Sequence, residues 1–331
     1  MGGAIQFRPG STPDNPSARF FCGYFVSNAA AEGGAIYAAG GTEVTIGFEG
    51  SSFFGGTFLD NAATTAGGAI RTTNGTLKVF NGTFEGNATI ASNGGGGAVY
   101  AEGLVETTDS SFVGNGTGAV GGAIATANFA TLTRSLFSDN RSGQQGGAVF
   151  STDGVEAGNA TFTANKVLGT GGPWSGSAIY SENSIDLTHV TVAHQTTGNS
   201  AWDGSVLFTN GDLNLTNSIV DEATGDPRCV ASNGYDLGGN VVTAACGAPF
   251  GTGTASAVAT SAEIALGSLA DNGGLTETMA LDPDSAAIDV VAVDGSSQCA
   301  ALGDDQRGFL RPRSEEHTFE LQSRFGISYA V

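Results

Sequence analysis

The sequence is poor in basic residues, in charge of either sign and in long apolar runs. Only 12 of its 331 residues are Lys or Arg, against 32 Asp or Glu, which gives a formal net charge of −20. A chain this acidic would repel a phosphate backbone, so we expect no nucleic-acid partner. No apolar run reaches the roughly 20 residues with which a helix spans a bilayer, so we expect no transmembrane segment in this sequence.

Cysteine is also scarce, and no cysteine has a histidine close to it in the sequence. The four cysteines are Cys22, Cys229, Cys246 and Cys299. Their wide spacing does not form a zinc site, and nothing else in the sequence indicates a metal or a cofactor. Cys229 and Cys246 are 246 − 229 = 17 positions apart, flank a compact loop and could form a disulfide.

Glycine and phenylalanine, in contrast, are abundant and recur at regular positions. The chain has 53 Gly and 20 Phe. A Gly-Gly-Ala-Ile or Gly-Gly-Ala-Val motif begins at Gly33, Gly67, Gly96, Gly121 and Gly146. A Phe-x-x-Asn motif recurs as Phe58 with Asn61, Phe84 with Asn87, Phe112 with Asn115, Phe137 with Asn140 and Phe162 with Asn165. An earlier copy is Phe25 with Asn28, and a degenerate copy is Val192 with Gln195.

The spacing of the two motifs predicts a solenoid of short strands. In the copies that begin at Gly96, Gly121 and Gly146, the separation from the first glycine to the aromatic position is 16 residues (112 − 96, 137 − 121 and 162 − 146), whereas the stretch from Asn to the next glycine varies. The repeat length of roughly 25 to 30 residues lies in the solenoid range, and polarity inside the repeat alternates with period two. We therefore predict an all-β fold, a right-handed parallel β-helix.

A structural role is expected for each repeated residue. Glycine tolerates a positive φ and the close approach of a neighbouring backbone. Phenylalanine suits the wider part of the core, where we expect one interior row of rings. Asparagine at a fixed turn position can form a ladder of amides between coils stacked about 4.8 Å apart. We assign no catalytic, cofactor-binding or metal-binding residue, and the GxGxxG run at 116–121 is explained by the repeat's own glycine pair.

The linked GGA(I/V) and FxxN motifs resemble the repeat of the chlamydial polymorphic outer-membrane proteins. The resemblance covers roughly residues 2–210. It implies a β-helical passenger region outside the cell, at the bacterial surface and associated with the outer membrane. We assign residues 1–212 to these repeats.

Residues 213–312 have a different composition and resemble the C-terminal region of bacterial choice-of-anchor Q surface proteins. The runs that carry this resemblance are NSI, GYDLGGN, LADNGGLT, SAAID and DQRGFLRP. We expect a final coil or two, followed by a loop-rich cap over the open end of the core. The resemblance also implies a further cysteine after DQRGFLRP, so Cys299 without that partner is expected to be free, as is Cys22. Residues 313–331 resemble a translated sequencing adapter and are expected to be non-native.

Two classes of function remain open. The first is a non-enzymatic surface or secreted β-helix that presents loops for adhesion, with proteins or polysaccharides of a host or neighbouring cell as partners. The second is a carbohydrate-active lyase or hydrolase, for which the sequence offers the carboxylate pairs Glu106 with Asp109 and Asp153 with Glu156. The basic residues between positions 33 and 210 are scattered, whereas a uronate lyase needs a basic cluster. The non-enzymatic function is therefore preferred.

Overall fold

The protein is an all-β parallel solenoid of about seven turns with almost no helix, so the predicted fold class is confirmed. The computed structural model describes residues 4–7, 17–51, 55–92, 94–169, 175–197, 205–222, 229–246, 248–288, 290 and 303–310. Cys299 and the tail expected to be non-native, residues 313–331, lie outside the described residues.

Four parallel sheets form the walls of the solenoid, and each of the first seven coils contributes one strand to each sheet. Sheet A consists of Ile5–Phe7, Ile36–Ala38, Ile70–Thr72, Val99–Ala101, Ile124–Thr126, Val149–Ser151, Ile179–Ser181, Leu207–Thr209 and Cys229–Val230. Sheet B consists of Ser17–Phe20, Glu43–Ile46, Leu77–Phe80, Val105–Thr108, Phe129–Thr133, Gly154–Gly158, Ser184–Thr188, Asp212–Thr216 and Asn233–Asp236. Sheet C consists of Gly23–Val26, Gly56–Leu59, Thr83–Glu85, Ser111–Val113, Leu136–Ser138, Thr161–Thr163, Thr191–Ala193, Ile219–Asp221, Val241–Val242 and Ala257–Val258. Sheet D consists of Ala29–Glu32, Ala62–Ala66, Ala88–Thr89, Gly116–Thr117, Arg141–Ser142, Lys166–Val167 and Thr196–Thr197.

The parallel coils continue beyond residue 212, the predicted end of the repeats, as far as the sheet C strand Ala257–Val258. The remaining elements are short. They are a 3-10 helix at Ala244–Cys246, an α-helix at Ser261–Ile264 and an antiparallel strand pair formed by Leu266–Ala270 and Thr278–Leu281.

Alternation along each strand decides which side chains enter the core. In the sheet B strand Val105–Thr108, Val105 and Thr107 are buried, whereas Glu106 and Thr108 are partly exposed. Successive side chains of a strand point to opposite faces, so a polar residue at every second position leaves the interior apolar. The outer faces are therefore free to carry residues that the fold does not require.

One row of phenylalanine rings runs through the core inside sheet C. The rings of Phe25, Phe58, Phe84, Phe112, Phe137 and Phe162 stack with centroids 4.6 to 5.0 Å apart and planes within 6° of parallel. This spacing equals that of neighbouring strands, about 4.8 Å, because the coils are in register. Val192 and Val220 occupy the same position in the next two coils.

The corners of a coil are made by single residues in the left-handed region. In the fifth coil these are Gly121 (φ 68°), Arg134 (φ 44°) and Asp139 (φ 50°). A Cβ on Gly121 would also overlap the carbonyl group of Ile124. Its neighbour Gly122 is required for another reason, because a Cβ there would overlap a carbonyl oxygen of the next coil. The glycine pair thus combines a left-handed turn with a close approach between coils.

The end of the core is closed by residues that follow the last full coil. Phe250 and Cys246 join the hydrophobic core next to Val242. Cys246 forms a disulfide with Cys229, with Cα atoms 4.6 Å apart, and Cys22 is a free, exposed cysteine. These residues lie at the C-terminal end of the core, where the sequence analysis places a cap.

A second part of the C-terminal segment, which we call the strap (described residues within 259–310), packs on the outer face of sheet C. Its side chains Ile264 and Ala287 are buried against Ile219 and Val241, which face away from the main core. The same face is buried further back, at Leu136, Thr161 and Thr191. The sequence did not indicate that the segment would turn back along the solenoid.

Polar contacts anchor the far end of the strap. Arg134 forms two bonds with Asp109, of 2.7 and 2.8 Å, and a third with Asp304 of the strap at 3.1 Å. Thr161 donates a hydrogen bond to Gln306 at 2.7 Å. Gln306 is buried, so the strap is joined to the solenoid by satisfied polar groups as well as by apolar packing.

Substitution of one ring should unfold the core. We expect Phe137→Asp to lower the free energy of unfolding by about 4 kcal/mol or more, because it places an unpaired charge in a closed row of rings. Thermal unfolding followed by circular dichroism measures the change. The matched control is Thr133→Asp in the same coil, on the partly exposed outer face. An unshifted melting curve for Phe137→Asp would contradict the register described here.

The free energy of unfolding should depend on pH through Asp236, a residue of the last coil. Its carboxylate accepts hydrogen bonds from the backbone N–H groups of Gly238, Thr252 and Gly253 and from the side chains of Asn240 and Ser256. Burial alone would raise the pKa of Asp236, but the hydrogen bonds from Gly253, Ser256, Asn240 and Gly238 outweigh it and lower the pKa below its usual value.

A carboxyl group with a lowered folded-state pKa stabilises the fold above its unfolded pKa, about 3.9, and loses that contribution as pH falls through the folded value. We therefore expect Asp236→Asn to be less stable than the wild type by about 2 kcal/mol at pH 7. The difference should shrink as the pH is lowered below about 4. Melting curves across this pH range provide the measurement, with exposed Asp284→Asn as control. A difference that stays constant down to the lowest pH would be the contrary result.

Candidate functional site

The asparagines of the repeat form one buried ladder. Asn61, Asn87, Asn115, Asn140 and Asn165 are all fully buried. The Asn140 side chain accepts hydrogen bonds from the backbone and side-chain nitrogens of Asn115, both at 3.0 Å. Its own Nδ2 donates to the carbonyl oxygen of Phe112 and to Oδ1 of Asn165, both at 2.9 Å. Each amide therefore connects three coils.

The ladder extends further than the FxxN motif. The backbone nitrogen of Asn165 donates to Oε1 of Gln195 at 2.9 Å, so the degenerate copy keeps its place in the ladder. The backbone nitrogen of Gln195 in turn donates to Oε1 of buried Glu222 at 2.9 Å. The sequence reasoning missed Glu222 because it stands two positions after Val220, where the repeat has three. A search for any amide or carboxylate after the aromatic position would have found it.

Because the repeated residues are enclosed, they do not form a binding surface. The five asparagines and the rings of Phe58, Phe84, Phe112, Phe137 and Phe162 have no exposed surface. The glycines Gly33, Gly67, Gly96, Gly121 and Gly146 each have a positive φ between 55° and 68° at the corner between sheets D and A. A functional site must therefore be sought among the side chains outside the repeat.

The carboxylate pairs considered for a hydrolase are divided between separate contacts. Glu106 forms an ion pair with Lys78 at 3.3 Å, whereas Asp109 is bound by Arg134. The side chain of Asp153 accepts a weak hydrogen bond from Asn183 at 3.4 Å. Glu156 lies on the outer face of sheet B, in register with Asp186. Nothing in these contacts favours a catalytic pair.

A concave surface, which we call the groove, lies on the outer face of sheet B. It has a volume of about 750 Å³ and crosses the first five coils. The register of the strands builds its floor, because it aligns Arg19 with Thr45, Lys78, Glu106 and Thr131 in one row across the coils. These positions point outward, and the side chains of Arg19, Lys78, Glu106 and Thr131 are exposed or partly exposed, whereas Thr45 is buried.

Aromatic rings line one side of this groove. Phe21 is 49% exposed and Phe48 is 54% exposed, and their ring centroids are 6.4 Å apart with an angle of 46° between the planes. Phe80 of the third coil lines the groove as well. Gly47, with a φ of 80°, turns the chain at this corner immediately before Phe48. Large apolar rings exposed beside a polar floor are a feature of binding surfaces rather than of a packed core.

The charges of the groove are only partly paired. Within the part of the chain that the structure describes, Arg19, Glu43 and Glu49 form no ion pair, while Lys78 is paired with Glu106. The groove thus offers one cation and two carboxylates that have no ion-pair partner among the described residues. Among the described residues, no cluster of three or more His, Cys, Asp or Glu side chains is arranged to hold a metal ion.

Comparison with known protein families supports the repeat. The Chlamydia polymorphic membrane protein (Chlamydia_PMP) repeat matches residues 134–152. This stretch contains Phe137, Asn140 and the glycine pair that begins at Gly146, so the match covers one copy of each motif. No curated protein and no solved structure matches the chain. The repeat's family suggests a location at the cell surface or outer membrane. Within the described residues, no helix is both long and apolar enough to cross a membrane.

Removing one amide of the ladder should be costly. We expect Asn140→Ala to lower the free energy of unfolding by about 3 kcal/mol, because buried groups of Asn115 and Phe112 would lose their partners. This exceeds the roughly 1 kcal/mol of an ordinary hydrogen bond. Denaturant unfolding measures the change, and exposed Asn183→Ala is the control. Equal stability of the two variants would show that the ladder does not hold the coils together.

Proposed function

We propose that the protein is a surface-exposed β-helix that acts as a non-enzymatic interaction module and binds its partner through the groove on sheet B. The observation that carries the proposal is the exposure of Phe21 and Phe48 beside the unpaired charges of Arg19, Glu43 and Glu49. Exposed aromatic rings next to polar groups are typical of adhesive interfaces, since they supply contact area at little conformational cost.

The setting of the protein supports this proposal. The matched repeat and the solenoid fold fit a surface-exposed protein. The resemblance of residues 213–312 to choice-of-anchor Q surface proteins is consistent with the same setting. Partners would then be molecules on a host cell or a neighbouring cell, either proteins or polysaccharides.

The function can be tested by adhesion of protein-coated beads to epithelial cells and to bacterial cells. We expect coated beads to adhere above albumin-coated beads, and we expect Phe48→Ala to reduce adhesion several-fold, because it removes an exposed ring from the groove. Ile90→Ala removes an apolar side chain that is more exposed than Phe48, 73% against 54%, and lies outside the groove, so it serves as the control.

The folding of each variant is checked by its melting curve. Adhesion no higher than that of albumin on every cell type would reject the proposed function. Equal losses in Phe48→Ala and Ile90→Ala would reject the groove as the site.

A further inference from the structure

We propose that the ligand of the sheet B groove is an uncharged polysaccharide, which lies along the solenoid axis with its sugar rings against the phenylalanines. This inference rests on the proposed binding function and specifies the chemistry of the ligand. It is carried by three features of the groove, namely the arrangement of the aromatic rings, the mixture of unpaired charges and the position at which the groove ends.

The aromatic rings are distributed one to a coil. Phe21 comes directly after the first strand of sheet B, Phe48 lies two residues after the second, and Phe80 ends the third. Phe21 and Phe48 lie 6.4 Å apart, so the groove presents apolar faces from successive coils along the axis. A polymer of similar rings, each with an apolar C–H face, matches such a series better than a single small molecule does.

The charges of the groove favour a ligand whose polar groups can both donate and accept hydrogen bonds. Arg19 can only donate, whereas Glu43 and Glu49 can only accept. A hydroxyl group does both, and the partly exposed side chains of Thr108 and Thr131 add hydroxyl partners along the floor. A neutral chain with many hydroxyls can therefore satisfy all of these groups at once.

Charged polymers complement the groove less well. A polyanion would meet the carboxylates of Glu43, Glu49 and Glu106, in a protein with a net charge of −20. A basic peptide would pair with those carboxylates but would oppose Arg19 and Lys78. Like charges in one groove repel each other. A polyanion would therefore lose binding energy to the carboxylates, and a basic peptide would lose binding energy to Arg19 and Lys78.

The groove also has a defined end. Beyond Thr131, the same outward row of sheet B continues with Glu156, Asp186 and Asn214. Asn214 donates a hydrogen bond to Asp186 at 2.6 Å, so these polar groups bind each other. The row has no aromatic residue at these three positions. The binding surface is therefore limited to the N-terminal coils, a length that suits a few sugar units of a longer chain.

The test is affinity electrophoresis of the full chain through native gels that contain one dissolved polymer each. The neutral probes are hydroxyethylcellulose, soluble starch and galactomannan, the anionic probe is polygalacturonate and the cationic probe is poly-L-lysine. We expect retardation by at least one neutral polymer, with at least tenfold weaker binding of polygalacturonate. Poly-L-lysine is attracted to the whole surface of a protein with a net charge of −20, so we expect its binding not to depend on the groove phenylalanines. We expect the variant with Phe21→Ala and Phe48→Ala to lose tenfold or more in affinity for that neutral polymer, and Ile90→Ala to bind as the wild type does.

Several results would overturn the inference. These are no retardation by any neutral polymer, tighter binding of polygalacturonate than of every neutral polymer, a tenfold loss of poly-L-lysine binding in the double variant, or unchanged affinity of the double variant for the neutral polymer. A melting curve equal to that of the wild type shows that the double variant is folded. If it is not, the single variants Phe21→Ala and Phe48→Ala replace it, each expected to lose severalfold.

Treatment of the target cells separates this inference from the proposed function. Periodate cleaves the vicinal diols of sugars, whereas a protease removes surface proteins. Bead adhesion that survives periodate but not protease would leave the proposed function in place and reject the polysaccharide. Retardation by a neutral polymer without bead adhesion to any cell would support the ligand class and reject adhesion to these cells.

Discussion

The structure depends on close contact between the backbones of successive coils at the corner between sheets D and A. There the second glycine of each pair faces a carbonyl oxygen of the next coil, as Gly122 does, and no side chain fits between them. The asparagine ladder fixes the same spacing at the adjacent corner, between sheets C and D. With both corners held, the strands of every sheet must stack in register, and the phenylalanine rings must stack with them.

This constraint separates the inside of the solenoid from its outside. The inward positions are filled by the repeated residues, and a change at any of them would leave a cavity or an unsatisfied polar group. The outward positions carry no such requirement, so residues as different as Arg19, Lys78 and Glu106 can stand in one row. Binding chemistry can therefore differ from coil to coil without disturbing the fold.

The outer faces of the sheets are not equally available. The strap covers the outer face of sheet C from Leu136 to Val241. On sheet A, the outward rings of Phe150, Tyr180 and Phe208 stack on one another, and two of them are buried. The outer face of sheet B in the first coils keeps both exposed aromatic rings and unpaired charges, which is why the groove is the candidate site.

The sequence by itself determined the period, the strand content and the inward direction of the repeated residues, because these follow from local rules of alternation, turn geometry and side-chain size. It also indicated the pairing of Cys229 with Cys246, which lie close together along the chain. The strap, the continuation of the ladder to Glu222 and the groove were decided only by the tertiary structure. Each of them joins residues from different coils, such as Arg134 with Asp304 or Phe21 with Phe48, and no local pattern records which outward side chains the stacking brings together.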